Sequence, residues 1–101
     1  MFPINFSGKI MLYSICYDIS DDRRRNRVAN ILLGFGERVQ YSVFEAKLDL
    51  VNLERLVEKV ASAMKEDEDS LRIYPICEQC RSKIQIIGYG QVTQYPDVII
   101  I

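Results

Sequence analysis

Apolar and aromatic residues run almost unbroken from Ile10 to Tyr17 and stop at Asp18. That pattern predicts a central strand, buried on both faces, that ends in a carboxylate. The apolar period then changes. Val28, Ile31, Leu32 and Phe35 stand at i, i+3, i+4 and i+7, which predicts a helix over about 21–33. Ser20 or Asp21 is its candidate cap, and Asp21 and Asp22 suit the positive end of its dipole. Gly34 and Gly36 close it, one of them as a left-handed residue. In the next stretch Val39, Tyr41 and Val43 alternate on one face, whereas Phe44, Ala46 and Leu48 take the opposite phase. The slip requires either a bulge or a reversal into a second strand. Asp49 caps a second helix reaching to about Lys65, with Leu53, Leu56, Val57, Val60, Ala61 and Met64 as its core stripe. A strand follows over 71–77, and Pro75 assigns it to an edge or marks its end. Lys83 to Gly88 reads as a short apolar strand, and Gly88-Tyr89-Gly90 as a bend. The β-branched run Val98-Ile99-Ile100-Ile101 must be paired, either in this sheet or on a partner's.

Strand, helix, strand pair, helix, strand and strand describe a split β-α-β unit, the α+β ferredoxin-like sandwich (βαββαβ) with an additional C-terminal strand. Two helices would cover one face of an antiparallel sheet. The other face is expected to be apolar and in need of a cover, which points to a homodimer. Residues 1–9 lack periodicity and read as an N-terminal extension, and the pattern begins near Met11, an alternative start. Residues 10–101 then form a single domain.

Composition adds mostly exclusions. Of 101 residues, 49% are hydrophobic and 27% charged, as in an ordinary globular chain. The net charge of −1 gives no whole-molecule attraction to nucleic acid. It conceals a segregation, however. Arg23, Arg24, Arg25, Arg27 and Arg38 cluster early, while Glu66 to Asp69 form an acidic run, expected to be a solvated loop without a role. Three cysteines suggest no disulfide scaffold. No segment resembles a secretory signal or a membrane span, so a cytoplasmic location is expected. Histidine is absent. Ser-His and Cys-His catalysis and histidine-ligated metals are thereby excluded, and chemistry must rest on carboxylates, a metal, Arg, Lys, Tyr or Cys.

Asp18 is the first candidate. It ends a central strand, where sheet folds place ligand sites, and a charge there must be solvated, paired or metal-bound. On pattern alone a strand-end aspartate more often serves only the turn. The arginines at the start of the first helix oppose its dipole, and a bound anion would relieve the conflict. A solvated face paired with Asp21 and Asp22 is the ordinary alternative. Cys77-Glu78-Gln79-Cys80 is a CxxC, either half a zinc site, a redox pair or simply a turn; without histidine or a second CxxC, the turn is favoured.

Tyr17-Asp18-Ile19-Ser20-Asp21-Asp22, then Arg25-x-Arg27-Val28, then Gly36-x-Arg38-Val39-Gln40-Tyr41-Ser42-Val43-Phe44-Glu45, closely resemble the CRISPR-associated Cas-two family. The resemblance spans about 11–101. It implies a ferredoxin-like homodimer in which two Asp18 carboxylates face each other and share one Mg²⁺ (or Mn²⁺). It also implies endonucleolytic hydrolysis of RNA or DNA in spacer acquisition and antiviral defence. Arg25, Arg27 and Arg38 would hold backbone phosphate or stabilise transition-state charge. Phe44, Tyr17 and Ser42 would stand beside the site, and the C-terminal strand would cross to the partner. The alternative role is a non-catalytic dimeric adaptor that bridges the Cas-one integrase and protospacer DNA. A toxin-like ribonuclease of the same fold is a third reading. The N-terminal extension and the CxxC depart from the family pattern.

Overall fold

The computed structural model describes residues 9–93. The expectations for the N-terminal extension, apart from Lys9, and for the Val98–Ile101 strand lie outside the described residues. Four strands form one antiparallel sheet in the order β2-β3-β1-β4: β1 is Met11–Asp18, β2 Glu37–Gln40, β3 Val43–Leu48 and β4 Ser70–Ile76. Helices α1, Asp22–Leu33, and α2, Leu50–Ala63, are the crossovers, and a single turn α3, Glu78–Arg81, follows β4. This is the ferredoxin-like βαββαβ unit. β4 lies at an edge of the sheet formed by the described residues, with Pro75 near its end, as a residue without an N–H requires. No described helix is long and apolar enough to cross a membrane.

Alternation in the strands determines which side chains meet the helices. Tyr13, Ile15 and Tyr17 of β1 and Phe44, Ala46 and Leu48 of β3 join Val28, Ala29 and Leu32 of α1 and Leu56, Val60 and Ala63 of α2 in one core. The phase slip between 39 and 48 contains both anticipated devices. A two-residue turn at Tyr41-Ser42 reverses the chain, and the register shifts between Arg38 and Gln40. Asp49 caps α2 as expected, its carboxylate accepting the Asn52 N–H at 2.9 Å.

Five expectations are corrected. Neither glycine after α1 is left-handed: Gly34 is right-handed, with φ −75°, and positive φ among the described residues occurs only at Gly88 and Gly90. Gly36 is needed for close approach instead, because a Cβ there would lie 2.2 Å from the Glu45 carbonyl oxygen and 2.8 Å from the Ala46 Cβ. Gly36→Ala is therefore expected to destabilise the fold by about 1–3 kcal/mol, measured as a lowered denaturation midpoint at unchanged m-value. Second, Val57 and Ala61 face solvent; the buried stripe of α2 runs through Ala63 instead. Third, 83–88 is not a strand. It has no ladder partner among the described residues, and Ile87 is almost fully exposed.

The fourth correction concerns the face of the sheet away from the helices, and with it the expected burial of β1 on both of its faces. It is mixed rather than apolar, because alternate positions of β3 and β4 carry Glu45, Lys47, Arg72 and Tyr74. Ser14 and Cys16 on that side of β1 are only half-buried. Leu12 is fully buried, at the end of β1 that pairs with the end of β4 leading into α3. Thr93 crosses this side too, its hydroxyl donating to Glu45 and to Glu37. The fifth concerns the acidic run, which is not merely solvated. Asp69 is buried and bound to Arg24, a contact that shapes the site.

Candidate active-site cleft

Three loops meet at the carboxyl end of β1. Asp18 pairs across the sheet with Ser70, which places the loop 64–69 beside it. On the other flank the Tyr17 N–H donates to the Ser42 carbonyl at 3.2 Å, drawing in the β2–β3 turn. The third loop is the chain's own continuation. Ile19 folds back into the core, and Asp21 caps α1 by accepting the Arg24 N–H at 2.9 Å. Asp18 is left between a buried Tyr17 and a buried Ile19 with its carboxylate in solvent, and no described residue donates to it. Tyr17, Asp18, Ile19, Arg25, Tyr41 and Ser42 line a cleft of about 300 Å³.

Arginines brace all three loops. The Arg25 guanidinium donates to the Ile19 carbonyl at 3.0 Å and the Ser20 carbonyl at 3.3 Å, and it pairs with Asp22. It thereby holds the two residues that follow Asp18. Arg24 reaches the opposite loop, its Nε donating to Asp69 Oδ2 at 2.8 Å and its terminal amine to Asp69 Oδ1 at 3.2 Å and Glu68 at 3.1 Å. Asp69 also accepts the Lys65 N–H at 2.8 Å. Hydrogen bonding from Arg24 holds the Asp69 carboxyl below its ordinary value of 3.8. Because ionised Asp69 is favoured in the fold, its contribution is complete above that ordinary value and lost as pH falls through the lower, folded one. Asp69→Asn is therefore expected to lower the denaturation midpoint at pH 7, with the gap to wild type closing as pH approaches 3. An equal gap at both pH values would contradict this role.

Arg38 serves the third loop. It donates to the Tyr41 carbonyl and to the Tyr17 hydroxyl, each at 3.0 Å, and lies 5.5 Å from the Tyr41 ring centre and 5.3 Å from that of Phe44. The Tyr17 hydroxyl in turn donates to the Tyr41 carbonyl at 3.3 Å. Phe44 is fully buried, its ring centre 6.2 Å from that of Tyr17.

Of the residues singled out from sequence, Asp18, Tyr17, Arg25 and Ser42 line the cleft, and Arg38 and Phe44 stand behind it. Arg27 is placed elsewhere, in a shallow hollow on the outer side of α1 with Arg23, Asn26 and Asn30. Tyr41 was not anticipated: it is 70% exposed and forms one wall of the cleft. The sequence calls for a bulge or a reversal in this stretch without fixing where the turn falls, and an alternation carried through to Val43 treats Tyr41 as a strand residue. Arg24 and Arg25 find their counter-charges within the chain, which removes much of the conflict at the start of α1 without any bound anion. A larger hollow between α1 and α2, about 480 Å³ and lined by Asn30, Phe35, Arg55 and Lys59 among others, contains no carboxylate.

The exposed Asp18 carboxylate is a hard oxygen donor of the kind Mg²⁺ and Mn²⁺ accept while keeping several waters. Within one chain the set is too small, because no three metal-ligating acids or cysteines cluster among the described residues. The chemistry of this donor fits such an ion, and Asp18 is the single exposed carboxylate among the residues lining the cleft.

Comparison with known proteins identifies the family and the fold. Residues 11–84 match the family model described as CRISPR associated protein Cas2. A CRISPR-associated endoribonuclease Cas2 of Synechocystis is 40% identical over 92 residues, covering 91% of this chain and all of that protein. One from Chloroflexus aurantiacus is 48% identical over 81 residues, covering 79% and 87%. Among solved structures, a hypothetical protein of Thermus thermophilus aligns with a TM-score of 0.74 at 42% identity, covering 82% of this chain and 96% of that one. The structure of a partial Cas6-RT-Cas1–Cas2 complex includes a chain that aligns at 0.70 and 27% identity, covering 84% and 99%. A family match over most of the chain, relatives this similar at nearly full length and a shared fold lead to one conclusion: this chain belongs to the CRISPR-associated Cas2 family of endonucleases.

Proposed function

We propose that this Cas2 chain hydrolyses phosphodiester bonds as a homodimer, with the Asp18 carboxylates of two copies holding one Mg²⁺ or Mn²⁺ between them. The observation that carries the reading is Asp18 itself, an exposed carboxylate that no described residue engages, at the end of a largely buried strand. The ion, when bound, would lower the pKa of water and offset phosphate charge. Arg25 keeps the Ile19-Ser20 backbone in place, so that Asp18 is presented without rearrangement. Arg38 fixes the Tyr17 hydroxyl and the Tyr41 turn, which shape the wall against which a nucleotide would lie. Ser42 and the Tyr41 ring are available to sugar, phosphate or base. Arg27, on the neighbouring face of α1, would contact phosphate further along the strand. Free thiols at Cys16, Cys77 and Cys80 suit a reducing compartment, the cytoplasm.

The test uses labelled single-stranded RNA and duplex DNA with Mg²⁺, Mn²⁺ or EDTA, together with subunit mixing. If one ion is shared, adding excess Asp18→Ala protein should suppress cleavage per wild-type protomer, because mixed dimers lose half the ligand set. Independent sites would leave that rate unchanged and overturn the shared-ion reading.

A second reading is favoured by the structural likeness to a chain solved within a Cas1–Cas2 assembly. The chain would then serve as a dimeric adaptor between a Cas1 integrase and protospacer DNA, with Asp18 dispensable. Wild-type levels of spacer integration by the Asp18→Ala protein would support it.

A further inference from the structure

The feature that the nuclease reading leaves unused is Cys77-Glu78-Gln79-Cys80. Cys77 precedes α3, and its Sγ accepts the Cys80 N–H at 3.4 Å. Both residues are exposed and both thiols are free. Residues three apart across one helical turn have Cα atoms roughly 5 Å apart, within the range a disulfide spans. The turn is further held by Arg81, which pairs with Glu78 and whose N–H donates to the Cys77 carbonyl at 2.8 Å. Two thiols are thus prearranged to meet.

We propose that Cys77 and Cys80 form a redox-active dithiol, which closes reversibly to an intrachain disulfide by exchange with a small disulfide of the glutathione class. Cys77 is the attacking group. Hydrogen bonds from the Cys80 N–H and thiol hold its thiol below the ordinary value, whereas the Cys80 thiol is pushed up. In the first step the Cys77 thiolate attacks one sulfur of glutathione disulfide, forming a mixed disulfide and expelling one glutathione thiolate. Cys80 then loses its proton to solvent, attacks the Cys77 sulfur and expels the second glutathione thiolate. Two electrons pass from the two cysteines to the reagent, which leaves as two thiols.

The pair has a defined place in the fold. β4 pairs Ile76 with Leu12 at one end and Ser70 with Asp18 at the other, so the dithiol lies about six strand residues, roughly 20 Å, from the cleft. It sits where the chain leaves the sheet edge for the segment that runs back across the second face to Thr93. Closure would staple the turn from which that segment starts, without touching the cleft.

The test incubates reduced full-length protein with glutathione disulfide in the presence of EDTA, quenches with an alkylating maleimide and measures intact mass. Wild type should lose two of its three alkylatable thiols together, taking up one maleimide where the reduced chain takes three and lying a further roughly 2 Da lower for the two hydrogens lost on closure, and a dithiol reductant should restore both. Cys16→Ser should still close. Cys80→Ser should accumulate the glutathione adduct at Cys77, and Cys77→Ser should form its adduct about tenfold more slowly or worse. Three thiols remaining in wild type, stable adducts without closure, or disulfide-linked dimers would each overturn the proposal.

Discussion

Asp18→Asn should reduce divalent-ion-dependent cleavage by about a thousandfold or more while leaving the protein folded. The magnitude follows from losing a charged ligand at each half of the proposed shared site, which would remove both ion binding and the charge stabilisation the ion would supply. The fold should tolerate the change, because the carboxylate is exposed and engages no described residue. Surface substitutions of that kind usually fall within about 0.5 kcal/mol. The checks are initial cleavage rates across a Mg²⁺ and Mn²⁺ series, beside a melting curve and a sedimentation profile. A variant that cuts like wild type would remove Asp18 from the reaction. A variant that fails to dimerise would mean that the carboxylate contributes to assembly rather than to ion binding alone.

Phe44→Ala is expected to have the largest effect on stability, about 3–5 kcal/mol, a substantial share of what a domain of this size possesses. Phe44 is fully buried at the centre of the sheet, where it pairs with Ile15 of β1 and Arg38 of β2. Its ring also supports the Arg38 guanidinium and packs against Tyr17. Truncation therefore leaves a cavity directly behind the cleft and frees two of the side chains that position it. Denaturant unfolding should show the lowered midpoint. At a temperature where the variant remains folded, cleavage should still fall, by about tenfold, because Tyr17 and the Tyr41 turn lose their backing. Phe44→Leu, which keeps most of the buried area, should recover most of both losses. Full activity in folded Phe44→Ala protein would limit the residue to a packing role.

Local patterning carried much of the architecture. A caps-and-stripe reading located both long helices, since Asp21 and Asp49 each accept an N–H three residues on and the apolar periods are clean. The run ending at Asp18 marked the central strand to within one residue at either end. The failures share one cause, which is that the decisive partner lay far away in sequence. Gly36 was read for its backbone freedom, whereas its requirement comes from Glu45 and Ala46 across the β2–β3 pair. The apolar stretch 83–88 suited a strand by composition, yet it pairs with no strand among the described residues.

The candidate site divides in the same way. The sequence alone determined that chemistry here proceeds without histidine and that one carboxylate stands at the end of a buried strand. It also determined, through local motifs, which family to expect. Tertiary structure decided what surrounds that carboxylate. It spent Arg24 on Asp69, 45 residues away, and Arg25 on the backbone beside Asp18; it turned Arg27 to another face and raised Tyr41 as a wall of the cleft. The physical reason is that helix caps, stripes and strand ends depend on interactions within a few residues, which a sequence displays directly. The partner of a charged side chain is instead set by which loops the sheet order brings together.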